Sequence, residues 1–397
     1  MGFEKRPMLM AVVKSNAYGH GMIECARILS GRTATSGTTA GKIDWFGVDD
    51  IDEALALRKA GIKLPILVLG YTLPTRYTEA AKNNVSLTFA SLESLYQLKT
   101  QKSKGKITVQ NPKLKIHLKL ETGLNRQGIT LEELEDGCQM LEKLKSKTIL
   151  EGIYSHFAVA ELATIPKYKK YCEQQMDRFE KMYNLIISNL TPNTYNLKPI
   201  MHMAGTAATL LLPRSRYDLV RVGIGMYGLD PTSDPSRPLA SGIRSRGESS
   251  SREVSPLFPA LSWYSIISQI KKVKKNEGIG YNLSEHAKKN LKIAIVPVGY
   301  WHGYPRSLSG PGDPVKRDLA LDPPGFVLVR NKKCKILGRI SMDMMTIDVT
   351  DIRNIRVGDK VTLIGSGLPA EAVSAKAGTI NYELVTRINQ LLPRIYK

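Results

Sequence analysis

Short apolar runs alternate with longer stretches of helical period through the first half of the chain. Met8 to Val13 is apolar and ends on Lys14, and a polar, glycine-bearing turn carrying Tyr18 follows at once. This reads as a buried strand entering a loop before a helix. Trp45 to Val48, Pro65 to Gly70 and Val85 to Phe89 predict three more buried strands, and Ile149 to His156 a further one. Helices are predicted over Ile51–Gly61, stopped by its glycine, and over Leu92–Lys99, Leu131–Leu144 and Tyr168–Leu190. Leu114 to Leu120 alternates, predicting a strand with one polar face. Strands and helices in regular alternation with short links imply parallel pairing and right-handed crossovers. Over residues 1–230 that count predicts a (β/α)8 TIM-like barrel, with the small-residue loop Gly31–Gly41 as a surface insertion.

The pattern changes at Asp230. Residues 231–257 are rich in Pro, Ser, Gly and Arg, as a linker or insert would be. Beyond them, Leu261–Val273, Lys292–Pro297, Gly325–Val329, Cys334–Leu337, Met345–Val349 and Lys360–Ile364 read as short strands broken by Gly, Pro and Asp. A mainly-β C-terminal domain over 258–397 is expected, with a closing helix near Ile380–Leu391.

Composition adds constraints. The 397 residues suffice for two domains, and 42% hydrophobic with 23% charged residues is ordinary for a globular protein. No apolar run reaches the roughly 18 residues a membrane span needs, and no signal-peptide pattern opens the chain. Cys25, Cys138, Cys172 and Cys334 are scattered without metal-ligand spacing, which predicts reduced thiols, no metal and a cytoplasmic setting. The net charge of +21 could mark a nucleic-acid or membrane partner. The lysines are dispersed and no nucleic-acid-binding motif accompanies them, so solvated charge is the preferred reading.

Several positions could carry chemistry. A lysine at the end of a barrel strand stands at the active-site mouth, where desolvation favours the nucleophilic amine. The plainer alternative is a lysine that snorkels to water. Arg126, in the glycine-bearing loop after Lys119, could fork a carboxylate or merely face solvent. The small-residue runs His202–Leu210 and Val220–Leu229 suit a phosphate held by backbone N–H groups.

Ala11-Val-Val-Lys-Ser-Asn-Ala-Tyr-Gly-His-Gly21 closely resembles the pyridoxal-phosphate attachment motif of alanine racemases. Further motifs of that family follow in order: Lys119–Gly128, Ile153–Ala158, His202–Leu210, Val220–Leu229, Ile279–Asn282, Val296–Tyr300, Gly338–Met344 and Asn381-Tyr-Glu. The resemblance implies a fold-type III pyridoxal-phosphate enzyme that interconverts L- and D-alanine for peptidoglycan synthesis. Lys14 is implied to bind the cofactor covalently and to act as one base, with Tyr281 as the other. Tyr18 lies beside the cofactor, His156 orients its neighbours, and Thr206, Gly223, Ile224 and Tyr382 hold the phosphate. Arg221 faces the pyridine nitrogen, and since arginine only donates hydrogen bonds, that nitrogen stays unprotonated. Arg126, Met342 and Asp343 meet the substrate, and Lys119 matches a lysine that is often carbamylated.

By the same resemblance the protein is a homodimer in which Tyr281, Met342 and Asp343 serve the partner's barrel. Departures are mild: Glu121 replaces Asp, Gly205 and Thr206 replace Asn and Ser, Asn282 follows Tyr281 in place of Gly, and His302 replaces Asp. Only thirteen residues precede the lysine, where the family carries about twenty-five more. Rival readings are a racemase of serine, lysine or a broader set, and a non-catalytic pyridoxal-phosphate barrel. The latter lacks the β domain and Tyr281.

Overall fold

The computed structural model describes residues 6–31, 43–100, 112–190, 198–231, 257–310 and 325–396. Most of the expected insertion at 31–41 and most of the 231–257 stretch lie outside the described residues. The described residues form two compact units, the first running to Met226 except for Tyr18–His20, and the second containing Tyr18–His20, Tyr227–Leu229 and the C-terminal part.

The first unit contains β1 (Met8–Val12), β2 (Trp45–Val48), β3 (Ile66–Val68), β4 (Ser86–Phe89), β5 (Leu114–Lys119), β6 (Thr148–Tyr154), β7 (Ile200–His202) and β8 (Leu219–Val222). All pair in parallel in the order β7-β6-β5-β4-β3-β2-β1-β8. The Asp218 N–H donates to Met201 O at 3.1 Å and the Arg221 N–H to Ala204 O at 2.9 Å, which joins the two ends of the sheet into a barrel. The apolar runs are buried, as expected of parallel strands covered on both faces.

The expected helices are present at Ile51–Lys59, Leu92–Thr100, Leu134–Leu144 and Pro166–Asn189, each within a few residues of its predicted ends. Asp50 caps the first of these by accepting the Glu53 N–H, and proline opens the last, where its missing N–H has no consequence. Helices at Met22–Leu29, Tyr77–Lys82 and Thr206–Leu211 were not predicted, being too short to show a period.

The polar face of β5 turns inward. His117 and Lys119 are buried, so the alternation marks a polar barrel interior rather than a solvated side. Between β5 and β6 the register slips: Ile116 lies opposite Leu150 and His117 opposite Gly152. Glu151 is the extra, unpaired residue of a bulge, a feature uncommon between parallel strands and one that re-aims side chains. Gly152 makes room for the His117 ring, since a Cβ there would lie 2.3 Å from His117 Nδ1.

The second unit holds a seven-stranded antiparallel sheet. Its strands are β9 (Trp263–Ile266), β10 (Gln269–Val273), β13 (Leu291–Val296), β14 (Phe326–Val329), β15 (Lys332–Leu337), β16 (Met345–Asp348) and β17 (Lys360–Ile364). A small ribbon pairs β11 (Gly278–Ile279) with β12 (Glu285–His286). The order in the large sheet is β10-β13-β16-β15-β14-β17-β9. The run Leu261–Val273 is therefore two strands, divided at Ile267–Ser268. The closing helix is shorter than expected, Asn381–Thr386. Beyond it Asn389 accepts the Leu391 N–H, and Arg394 donates to the carbonyls of Ile388, Leu392 and Gly19. These side-chain bonds hold an irregular chain in place of further helix.

Gly152→Ala should lower unfolding free energy by about 1–3 kcal/mol, because the His117 ring has nowhere to retreat in a packed interior. Urea unfolding measures this, and an unchanged midpoint would contradict the close packing of Gly152 against His117.

Candidate active site

Lys14 follows β1, and four consecutive residues after it, Ser15 to Tyr18, have φ between 53° and 55°. None is glycine. Left-handed backbone costs roughly 1–2 kcal/mol per ordinary residue, so this turn needs external support. Glu53 supplies it: its carboxylate accepts the Ser15 N–H at 2.7 Å and the Asp49 N–H at 2.8 Å. Asn16 Oδ1 accepts the Met22 N–H at 3.0 Å. Burial raises the Glu53 pKa, opposed by the hydrogen bonds from Asp49 and Ser15. The clamp ties the end of β2 to the turn, and Lys14 Nζ then reaches Asp49 Oδ1 at 3.0 Å. Lys14 is thus one half of an ion pair with its side chain 36% exposed.

Around the same barrel mouth stand Lys119, Arg126, His156 and Arg221. Burial, aided by Arg126 and Arg221, lowers the Lys119 pKa to about 8. Burial lowers His156 to about 3, with Arg221, Arg126, Lys119 and Lys14 all opposing a further proton. Burial brings Arg221 to about 10, still charged at neutral pH. Four cations facing one neutral imidazole make a site for anions.

Arg221 is buried in β8 and fixed from several sides. Its Nη1 donates to His202 Nδ1 at 2.7 Å, and its Nη2 to Ser155 O at 2.8 Å and Met203 O at 3.0 Å, with His156 Nδ1 at 3.2 Å. The guanidinium also lies over the Tyr154 ring, 5.0 Å from its centroid. Thr206 Oγ1 accepts the Gly223 N–H at 3.1 Å and the Gly225 N–H at 3.4 Å. A Cβ on Gly225 would lie 2.5 Å from Thr206 Cγ2, so only glycine lets that backbone come so near. Ile224, between the two glycines, is buried.

In the second unit, Tyr18 lies 6.1 Å from Tyr382 and 5.4 Å from Tyr227, ring centroid to centroid. Tyr281 is 70% exposed, and Met342 and Asp343 are also exposed. Gly280, at φ 79°, brings the Tyr281 loop against Gly338 and Arg339, shortly before Met342. The predicted residues therefore gather as Lys14, Lys119, Arg126, His156, Thr206, Arg221, Gly223 and Ile224 in one unit, and as Tyr18, Tyr281, Met342, Asp343 and Tyr382 in the other. Sequence reading missed Asp49, Glu53, His117, Glu151, Tyr154 and His202. The alternating polar positions of β5 were the one visible signal for His117.

A barrel whose first strand presents a lysine amine, beside a cluster of cations and a cradle of backbone N–H groups and a hydroxyl, defines a pyridoxal-phosphate enzyme of the barrel type. The residues present fit that cofactor: an amine for its aldehyde, N–H and O–H groups for its phosphate, and a donor-only guanidinium for its ring nitrogen. Residues 3–231 match the family of the alanine racemase N-terminal domain and residues 260–396 that of the C-terminal domain. Alanine racemase 2 of Oceanobacillus iheyensis is 36% identical over 98% of this chain and 86% of its own. Alanine racemase of Desulfovibrio desulfuricans is 33% identical over 97% and 90%. Among solved structures, alanine racemase of Bacillus anthracis, with bound L-Ala-P, superposes with a TM-score of 0.77 at 32% identity, covering 98% of this chain and 88% of that one. That of Clostridium difficile 630 gives 0.79 at 30% identity, over 100% and 90%. The chain belongs to the alanine racemase family. It is a pyridoxal-phosphate-dependent isomerase acting on alanine.

Replacing Glu53 with Ala should cost about 2–4 kcal/mol by stranding two N–H groups in a strained turn, read by denaturant unfolding. A loss below about 0.5 kcal/mol would show that the clamp is dispensable. Stability should also depend on pH through Glu151. Although burial opposes it, hydrogen bonds from His117 and Ser86 and the charge of Lys115 hold this carboxyl below its ordinary value of 4.5. A lowered carboxyl pKa favours the ionised fold, so this stabilisation is complete above pH 4.5 and is lost as the pH falls below it. Denaturant midpoints at pH 3 and 5.5 should differ less in Glu151→Gln than in the native protein.

Proposed function

We propose that Lys14 and Tyr281 are the two bases of alanine racemisation, each removing or returning the α-proton on its own face of the substrate. The observation that carries the first assignment is the strained turn that holds the Lys14 amine at the end of β1. Bound pyridoxal phosphate supplies the electron withdrawal that makes the α-proton removable. Lys14 Nζ takes it from D-alanine while the Tyr281 hydroxyl delivers a proton to the opposite face, and from L-alanine the Tyr281 oxygen takes the proton while the protonated Lys14 amine delivers one. Arg126 forks the substrate carboxylate, and Met342 and Asp343 border its entrance. Tyr18 packs beside the cofactor, while Thr206, Gly223, Ile224 and Tyr382 hold its phosphate. Arg221 offers only hydrogen-bond donors to the pyridine nitrogen and so keeps it unprotonated, and His156 steadies Arg221.

The amine of Lys119, weakened as a base by burial, suits addition of carbon dioxide to give a carbamate and a released proton. A carbamate there would convert one of the four cations into an anion able to fix Arg126. The protein is read as a homodimer, with Tyr281, Met342 and Asp343 given to the partner's barrel. The exposure of Tyr281, Leu283, Trp301, Met342 and Met344 on the second unit supports this. No helix among the described residues is long and apolar enough to cross a membrane, and Cys138, Cys172 and Cys334 are buried free thiols. A cytoplasmic enzyme supplying D-alanine for peptidoglycan accords with these features.

Lys14→Ala should lose the cofactor's visible absorbance and all measurable racemisation. Tyr281→Phe should keep the absorbance and lose roughly 100-fold or more in kcat. Co-expressed with Lys14→Ala, it should form mixed dimers with one intact site, roughly half of native activity per dimer. Activity no greater than the two variants alone would overturn the shared site. Growth in 13C-bicarbonate followed by 13C NMR should give a carbamate signal that Lys119→Ala removes.

A further inference from the structure

Behind Arg221 the barrel interior contains a line of polar groups that the racemisation chemistry does not use. His202 Nε2 lies 2.9 Å from His117 Nδ1, and His117 Nε2 lies 3.4 Å from Glu151 Oε2. Glu151 also accepts from the Ser86 hydroxyl and pairs with Lys115 at 3.2 Å. His117 and His202 are fully buried.

The donors and acceptors can be assigned along the line. A guanidinium has no acceptor, so Arg221 Nη1 must donate and His202 Nδ1 must be bare. The His202 proton is then on Nε2, which donates to His117 Nδ1. That nitrogen must be bare as well, because a protonated His117 would set two donors face to face. His117 is therefore neutral, with its proton on Nε2 directed at the Glu151 carboxylate. His156, whose Nδ1 also faces Arg221, likewise carries its proton on Nε2. Every hydrogen bond points the same way, from a buried cation through two imidazoles to a half-buried anion. Such chains polarise along their length and fix orientation.

Local geometry is built for this line. The bulge of β6 leaves Glu151 unpaired and turns it to His117, and Gly152 clears the ring's position. The Tyr154 ring stacks on His202 at 4.7 Å and 10°, and its hydroxyl lies 3.0 Å from Thr88 Oγ1. Thr88 spends its own proton on Val68 O, so Tyr154 donates to it. Trp45 packs edge-on against His117 at 5.5 Å.

We propose that Glu151 is a positioning residue for alanine racemisation: it ends a one-directional hydrogen-bond chain, Arg221 to His202 to His117 to Glu151, that locks the Arg221 guanidinium toward the cofactor ring. The proposal rests on the racemase reading for its catalytic consequence, but the chain's direction can be tested apart from activity. In 15N-histidine-labelled native protein, NMR should show Nε2 protonated and Nδ1 bare at His117 and His202, recognised by their coupling across the shared hydrogen bond. A protonated Nδ1 at either residue overturns the proposal, whether or not any variant folds. Glu151→Leu should split these tautomers and lower kcat about tenfold with KM for alanine unchanged, the loss typical of a missing supporting partner. Glu151→Gln retains an acceptor and should recover the tautomers and most of kcat. Native kcat in folded Glu151→Leu, or no recovery in Glu151→Gln, also overturns it. Native protein with the expected tautomers but no racemisation would instead refute the racemase reading and leave the chain standing.

Discussion

A single positive charge inside the barrel sets the terms for the site. Taking a guanidinium out of water costs several kcal/mol unless its donors are all met, and Arg221 meets carbonyls from the ends of β6 and β7 and the rings of His202 and His156. Both accepting carbonyls, those of Ser155 and Met203, lie just past their strands, so strand length and register decide whether the charge is tolerated. None of these hydrogen-bond partners is a carboxylate. Glu151 lies beyond two imidazole rings from the guanidinium and is itself paired with Lys115 at 3.2 Å.

Lys14 illustrates the opposite economy. Its position is bought with backbone strain, four left-handed residues in a row, and the surrounding structure absorbs that strain through Glu53 and Asn16. A helix started by Asp50 delivers Glu53 to the turn, so an ordinary cap on the second strand's helix contributes to holding the lysine. Rigid placement of a nucleophile commonly carries such a local penalty. In the mechanism proposed above, the gain is that the amine needs little reorganisation before it reacts.

Charge is distributed with similar purpose. The net excess of cations over the whole chain is dispersed, whereas the four at the barrel mouth converge on one neutral histidine. An electropositive recess attracts a phosphate and an amino-acid carboxylate alike, and its field stays strong where water is scarce. The second unit exposes Tyr281, Leu283, Trp301, Met342 and Met344, polarisable or aromatic side chains with Asp343 among them.

The apolar runs of β1 to β4 and β6 and the period of the four longer helices were legible because burial on both faces and a wide apolar stripe leave direct traces in sequence. The ordered family motifs made Lys14, Arg126, His156, Thr206, Arg221 and Tyr281 candidates. The short helices at Met22, Tyr77 and Thr206 left too few residues for a period to register. Sequence alternation in β5 showed that Lys115, His117 and Lys119 share a face, but only closure of the sheet decided that this face points inward. Likewise no local pattern announces that Glu151 is an extra residue in its strand, since a bulge is defined by the partner it fails to match. Sequence by itself determined which residues could do chemistry and which segments would be buried. The tertiary structure alone decided which polar groups meet, because hydrogen-bond partners 19 to 85 residues apart, such as Arg221 with His202 and His202 with His117, are brought together only when the barrel closes.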